Sequence, residues 1–321
     1  MKLRVHSYLA SLPTARTAQS VAKNLDKTNT LRYFVEGVTA HGDQGAVITD
    51  AKWQPADVAV ILGWVHENSK QSPHLVLRKQ IVDNQAKIGG RTIIADSNLF
   101  LYRNLTNPGY WLRYSYDNVF PDTGEYCDAY PDPQRWRSVQ ASLGVTLQKW
   151  RTNGNHILLC LQREGGWSMG GINVVQWAID TVEELRRHSN RPIRIRSHPG
   201  DKRAVKYCHT LHKQLSTKNI SGVSFSVNQS LISDLHNCWA VVNHNSSPAV
   251  AAAIEGIPIF VTDIPRSQAR DIANHNLRDI ENPQMPDNRL YWLERISQFH
   301  WSHEELRSGQ CWNHMRSWAK P

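Results

Sequence analysis

Residues 239–263, WAVVNHNSSPAVAAAIEGIPIFVTD, limit what this chain can fold into more than any other stretch. Ala240, Val241 and Val242 form the short apolar run of a buried strand. Asn243 to Pro248 are polar and turn-rich, with Ser247 placed to cap a helix and Pro248 to begin it. Residues 248–255 are alanine-rich and predict a short helix. Gly256 stands where a helix C-cap favours a residue free to turn left-handed. Residues 257–261, IPIFV, predict the next buried strand. Strand, polar turn, helix, glycine and strand make a βαβ crossover, and hence a parallel sheet. The helix N-terminus of such a unit presents free backbone N–H groups, which favour an anion. Ser246 and Ser247 add hydroxyls at that point, although ordinary capping would use the same two residues.

Much of the chain repeats this alternation. Strands are predicted over 3–8, 58–62 and 91–96, and helices over 15–29 and 72–84. Alternation of this kind predicts an α/β fold with parallel sheets. Ligands of such sheets bind beyond the carboxyl ends of the strands. That rule singles out His6, Ser7, Trp64, His66, Glu67, Asp96 and Ser97. Residues 133–152 predict a charged helix, and Asn153-Gly154-Asn155 a hinge. A second series opens with the strand HILLCLQ (156–162), followed by the glycine-rich REGGWSMGG (163–171) and a helix over 173–188. The loop is neither GxxxxGK[ST] nor GxGxxG, but its place between strand and helix suits an anion. A strand over 193–196 then runs into His198-Pro199. A helix over 207–216, a strand over 223–227 and a helix start capped by Ser230 lead back to the central stretch. Two aromatic-rich helices are predicted within 288–318. The expected division is 1–152, 153–286 and a closing segment 287–321.

Composition narrows the class. A chain of 321 residues has room for one large or two medium domains. The net charge of +9 divides almost evenly between the halves, so it is not a basic tail; it suits a polyanionic partner or simply a basic enzyme. Five scattered cysteines without a CxxC pair indicate neither a zinc site nor a disulfide framework. No apolar run is long enough for a membrane-spanning helix, and the N-terminus lacks a clear signal peptide, so a cytoplasmic location is expected. Residues 102–132 are aromatic, Pro- and Gly-rich and read as a long irregular segment. Its Arg103, Trp111, Arg113 and Tyr114 could hold an acceptor base or sugar, or could pack a surface loop.

The serine pair, the small-residue helix ending on Glu255 and the following Gly-x-Pro resemble the donor-binding segment of GT-B glycosyltransferases. With Arg196-Ser197-His198-Pro199 upstream, they resemble the capsule-polysaccharide (Kdo and sialic acid) transferases in particular. The two motifs cover roughly the C-terminal half. The resemblance implies two Rossmann-like domains with parallel sheets facing across a cleft. It implies a nucleotide-sugar donor, a UDP-sugar first and a CMP-sugar second, held by Arg163, Gly165, Gly166, Ser168, Arg196, His198, Ser246, Ser247 and Glu255. The catalytic base would come from the first half, Asp96 before Glu67, His66 and His6. No DxD motif occurs, which argues against the metal-dependent GT-A class, and no metal site is expected. Small size, distributed basic charge and the aromatic, arginine-bearing segment favour double-stranded DNA carrying a hydroxymethylated pyrimidine as acceptor, as in phage enzymes of this fold. An acidic surface polysaccharide is the alternative, and a non-catalytic scaffold binding nucleic acid or sugar is the third reading.

Overall fold

The computed structural model describes residues 2–13, 18–65, 72–103, 106–226 and 229–320. The chain begins with β1 (Arg4–Tyr8), a 3-10 turn (Leu9–Ser11), α1 (Ala18–Ala40), β2 (Gln44–Ile48), β3 (Val58–Leu62), α2 (Pro73–Lys87), β4 (Arg91–Asp96), β5 (Leu112–Tyr116) and α3 (Pro133–Leu143). Next come β6 (His156–Cys160), α4 (Val174–His188), β7 (Ile193–Arg196), α5 (Ala204–Thr217), β8 (Val223–Ser226), α6 (Leu231–Asp234), β9 (Cys238–Asn243), α7 (Pro248–Ile254) and β10 (Ile259–Val261). Last are α8 (Arg289–Ser297), β11 (His300–Trp301), α9 (His303–Arg307) and α10 (Gln310–Met315). No helix of the described residues is long and apolar enough to cross a membrane.

Two compact units result. The first comprises Met1–Asn98, Thr106–Leu143 and Glu294–Pro321; the second comprises Leu99–Leu105 and Gly144–Leu293. The first unit has a six-stranded sheet in the order β11-β5-β4-β3-β1-β2. β1 to β4 pair in parallel, whereas β5 runs antiparallel to β4, and β11 antiparallel to β5. β5 lies inside the stretch expected to be irregular. Leu112, Tyr114 and Tyr116 alternate along it into the core, beside Phe34, Leu306 and Trp312. That period of two is a strand signal, obscured in the sequence by the turn-forming residues on either side. The tail was expected to be two helices and instead contains β11, whose Trp301 stands opposite Leu112. The capping box Ser302-x-x-Glu305 starts α9 as expected. Arg135 of α3 packs against the rings of Trp111 and Trp301, 5.0 and 3.8 Å from their centroids, and is bonded to Glu305 and the His300 carbonyl.

The second unit has an all-parallel sheet in the order β10-β9-β6-β7-β8. Its inner strands are the most buried: every residue of β6 and β9 is buried, as a parallel sheet covered on both faces requires, whereas β7 alternates buried isoleucines with half-buried arginines. α4 is capped by Asn173, whose side chain accepts from the Gln176 N–H, and turns Val174, Ala178, Val182 and Leu185 onto the sheet. Residues 153–155, expected as a hinge, lie within this unit. A Cβ on Gly154 would come to 2.5 Å from the Trp239 backbone, so the glycine fills a close contact.

His300 yields a test of the first unit. It is fully buried and its Nδ1 lies 2.8 Å from the Ile296 carbonyl. Burial above all holds its pKa well below 6.5; the Ile296 bond opposes this, and the Arg113 and Arg135 guanidiniums reinforce it. The folded protein therefore refuses a proton that the unfolded chain accepts. The contribution is fully present above about pH 6.5 and falls as the pH drops, by up to about 1.4 kcal/mol per pH unit for one such group. Urea denaturation from pH 7 to pH 5 should show this loss, and His300→Gln should make the slope shallower.

Candidate functional site

Four strands of the second unit finish level. Cys160 stands opposite both Arg196 and Asn243, and Asn243 opposite Val261. The loops after β6, β7, β9 and β10 therefore leave the sheet at one edge, the carboxyl edge where parallel sheets bind ligands.

Side-chain hydrogen bonds fasten these loops together. The Gln162 carboxamide is buried; its Oε1 accepts from the Asn245 N–H at 3.0 Å and its Nε2 donates to the Ser168 hydroxyl at 2.7 Å. Asn245 returns a bond to the Ser168 carbonyl at 3.0 Å and another to Asp263 at 2.8 Å. His244 reaches the Thr262 hydroxyl at 2.8 Å, and the Trp177 indole donates to the same oxygen at 3.0 Å. Asp201, after β7, accepts from the Glu164 N–H at 2.7 Å and the Arg203 N–H at 2.9 Å. Glu164 in turn accepts from the Val174 N–H at the start of α4, at 3.1 Å.

Cationic side chains gather over this frame. Arg163 is exposed, and its guanidinium makes no hydrogen bond or ion pair with a described residue. It lies beside the His198-Pro199-Gly200 turn, since a Cβ on Gly200 would come to 2.8 Å from an Arg163 terminal nitrogen and 3.3 Å from the His198 ring. Arg203 approaches Gly165, and Arg266 approaches Gly170, each about as closely by the same measure, at 3.2 and 3.1 Å. His198 Nδ1 accepts from the Gly200 N–H at 3.0 Å. Burial first, and then the charge of Arg163, push the His198 pKa down, Asp201 opposing and Arg196 adding a little. The imidazole is thus neutral at pH 7, with Nδ1 occupied as acceptor and Nε2 left as the N–H donor. Gly166 closes a turn onto the Arg163 carbonyl at 2.9 Å.

The serine turn sits beside this cluster. Asn243 donates to the Ser246 carbonyl at 2.7 Å and to its hydroxyl at 3.2 Å. Ser247 is exposed and in helical conformation, and its hydroxyl makes no capping bond. Its carbonyl accepts from Val250 at 2.9 Å, so α7 starts without using that side chain.

Two donor-site expectations find their side chains engaged elsewhere. Arg196 donates at 2.5 Å to Asp234, which is wholly buried, and at 2.8 Å to the Gln229 carbonyl. Glu255 is 3% exposed, and its carboxylate accepts from the Tyr102 hydroxyl and from Arg103, each at 2.7 Å. No open oxygen is left on Glu255 for a ribose. Arg103, expected to contact an acceptor, is the residue that holds it. Both lie in the second unit, because Leu99–Leu105 belongs there.

The first unit disperses its candidates. Asp96 ends β4 opposite Arg113 of β5, and the two are ion-paired. Arg113 is therefore not a free acceptor contact. Trp111 and Tyr114 are 4% and 0% exposed, so neither offers a face to a base or sugar. His6 is half-buried within β1, with Nδ1 3.3 Å from the Gln54 carbonyl. His66 and Glu67 lie outside the described residues. Among the described residues no group of three or more His, Cys, Asp or Glu side chains could hold a metal ion. The structure adds Gln162, Asn245, Asp201 and Arg203, none of which the motifs nominated. Asn245 stood within the quoted polar turn, but nothing local marks the other three.

No protein-family model matches the chain, and no curated protein matches it in sequence. Among solved structures, the KpsC β-Kdo 2,4 transferase of Thermosulfurimonas dismutans aligns over 93% of this chain and 90% of its own, at 9% identity and a TM-score of 0.51. The KpsC β-Kdo 2,7 transferase of the same organism aligns over 96% and 98%, at 12% identity and a TM-score of 0.49. At such identity the first of these shows the fold alone. That fold is GT-B: two α/β units, each built on a sheet rich in parallel strands.

Gln162→Ala removes both bonds that fasten the loops after β6 and β9. It leaves the buried Asn245 N–H without its acceptor, which should cost about 1–3 kcal/mol. Urea denaturation monitored by tryptophan fluorescence reads the loss.

Proposed function

We propose that this chain transfers a sugar from a nucleotide-sugar donor to a saccharide acceptor. The observation that carries the reading is the guanidinium of Arg163, unpaired among the described residues, beside the neutral imidazole of His198, at the carboxyl edge of the parallel sheet and next to the Ser246-Ser247 turn. Donors that converge there without carboxylate partners suit a diphosphate. They also stabilise the charge that builds on a leaving nucleotide as the glycosidic bond breaks. Gly165, Gly166 and Ser168 shape the adjoining loop, and a UDP-sugar is the favoured donor, ahead of a CMP-sugar. Asp96, at a strand end of the first unit, is the proposed base for the acceptor hydroxyl. Arg113 orients its carboxylate.

A saccharide is the favoured acceptor, in keeping with the likeness to a Kdo transferase fold. The DNA reading rested on small size, distributed basic charge and the aromatic, arginine-bearing segment, whose Arg103, Trp111, Arg113 and Tyr114 would be its contacts. Two of these are core residues and two are ion-paired.

The test is nucleotide release from a panel of UDP-, CMP-, GDP- and dTDP-sugars with and without oligosaccharide acceptors. One donor should be turned over. Ser246→Ala with Ser247→Ala should raise its Kd about tenfold or more, the loss of one to two hydrogen bonds to a charged group. Asp96→Asn should lower kcat by a factor of about 10²–10⁴ and leave donor affinity unchanged. Failure of every nucleotide sugar to bind would overturn the proposal.

A further inference from the structure

The first unit holds a buried cation with no ion-pair partner among the described residues. Arg78 lies on the core side of α2 and is 7% exposed. Its Nε donates to the Ser11 carbonyl at 2.9 Å. Neither terminal nitrogen has a hydrogen-bond partner among the described residues, and neither is sealed from solvent. Gly63 makes room for the group: a Cβ there would come to 2.8 Å from one terminal nitrogen, and its φ of +86° already disfavours a side chain.

The position is informative. Ser11 follows β1, Gly63 follows β3 and Asp96 ends β4, and these three strands are neighbours running in parallel. The guanidinium therefore sits at the carboxyl edge of the sheet, where ligands of this architecture bind. Asp96 is close enough to favour its charge, but the Asp96 carboxylate is bonded to Arg113. Lys27 brings further positive charge into the neighbourhood; burial first, and then Arg78 and Lys27, push the His74 pKa down, so that imidazole is neutral. Burial pushes the Arg78 pKa down to about 10, so the side chain stays charged at pH 7 without an ion-pair partner. Buried charges are ordinarily paired, because desolvation is otherwise uncompensated. A cation left in this state is poised for an anion that arrives with a ligand.

We propose that Arg78 binds the carboxylate of an acidic sugar acceptor at the carboxyl edge of the first unit's sheet. The proposal rests on the glycosyl-transfer reading and names the acceptor's class. Two adjacent N–H donors on a planar fork match a carboxylate. At 7% exposure Arg78 offers little open surface, which suits a carboxylate at the edge of one pyranose ring better than a phosphodiester flanked on both sides by duplex.

The test uses the intact chain and a matched pair of ligands, methyl β-glucuronide and methyl β-glucoside, which differ only in carboxylate against hydroxymethyl. Binding is titrated by NMR without donor, and UDP binding is measured in parallel by thermal shift. The wild-type protein should bind the glucuronide at least tenfold more tightly. Arg78→Met should abolish that preference and Arg78→Lys should keep part of it, both with an unchanged UDP shift. Equal binding of the two glycosides by the wild type overturns the proposal without reference to any variant. So does a preference that survives Arg78→Met, or an Arg78-dependent preference for a short DNA duplex over the glucuronide. Absence of a UDP shift in the wild type would count against the glycosyl-transfer reading instead.

Discussion

The carboxamide of Gln162 is the point on which the second unit's binding edge depends. It is buried where β6 gives way to a loop, and it spends its acceptor on one neighbouring loop and its donor on another. A parallel sheet brings its strand ends to one edge but does not arrange the loops that leave it. Here Gln162, Ser168, Asn245 and Asp263 arrange them through bonds of 2.7–3.0 Å. A buried network of this kind is valuable only when every member is satisfied. That condition explains why the glycine-rich loop, which would otherwise be mobile by composition, has a defined path over the sheet.

Charge separates framework from function. Four arginines were nominated from sequence, and three of them are engaged by carboxylates: Arg103 by Glu255, Arg113 by Asp96 and Arg196 by Asp234. Two of those carboxylates, on Glu255 and Asp234, are almost wholly buried, so removing either arginine would strand a charge. Only Arg163 of the four is left to a ligand. Arg78 joins it from outside the nominated set, also with donors to spare. An excess of nine positive charges thus says less about the partner than the few cations that no carboxylate claims.

Strands such as β3 and β6 were legible because parallel strands buried on both faces are continuous apolar runs, and β7 because its isoleucines alternate with arginines. β3, β4 and β7 fall where they were expected, and α2, α4 and α5 within a few residues. β5 was missed although Leu112, Tyr114 and Tyr116 alternate, because nearby Asn, Pro, Gly and Asp read as loop. The division of the chain follows packing more than composition: Leu99–Leu105 joins the second unit through Tyr102, Arg103 and Glu255, an association that no local pattern encodes. Rings can be core or binding surface at the same spacing, and for Trp111 and Tyr114 burial decides for core. Arg78 was invisible for a related reason. A basic residue within a helix reads as solvent-facing, and only the fold turns it onto a sheet edge.

The central claim is that the carboxyl edge of the second unit's sheet holds the diphosphate of a nucleotide. A crystal structure of the chain with UDP tests this most directly. The account predicts phosphate oxygens within hydrogen-bond reach of Arg163, His198 and the Ser246-Ser247 turn, with the loops after β6, β7 and β9 closed around them. A nucleotide seated on the first unit, or a second unit left empty at saturating UDP, would contradict it.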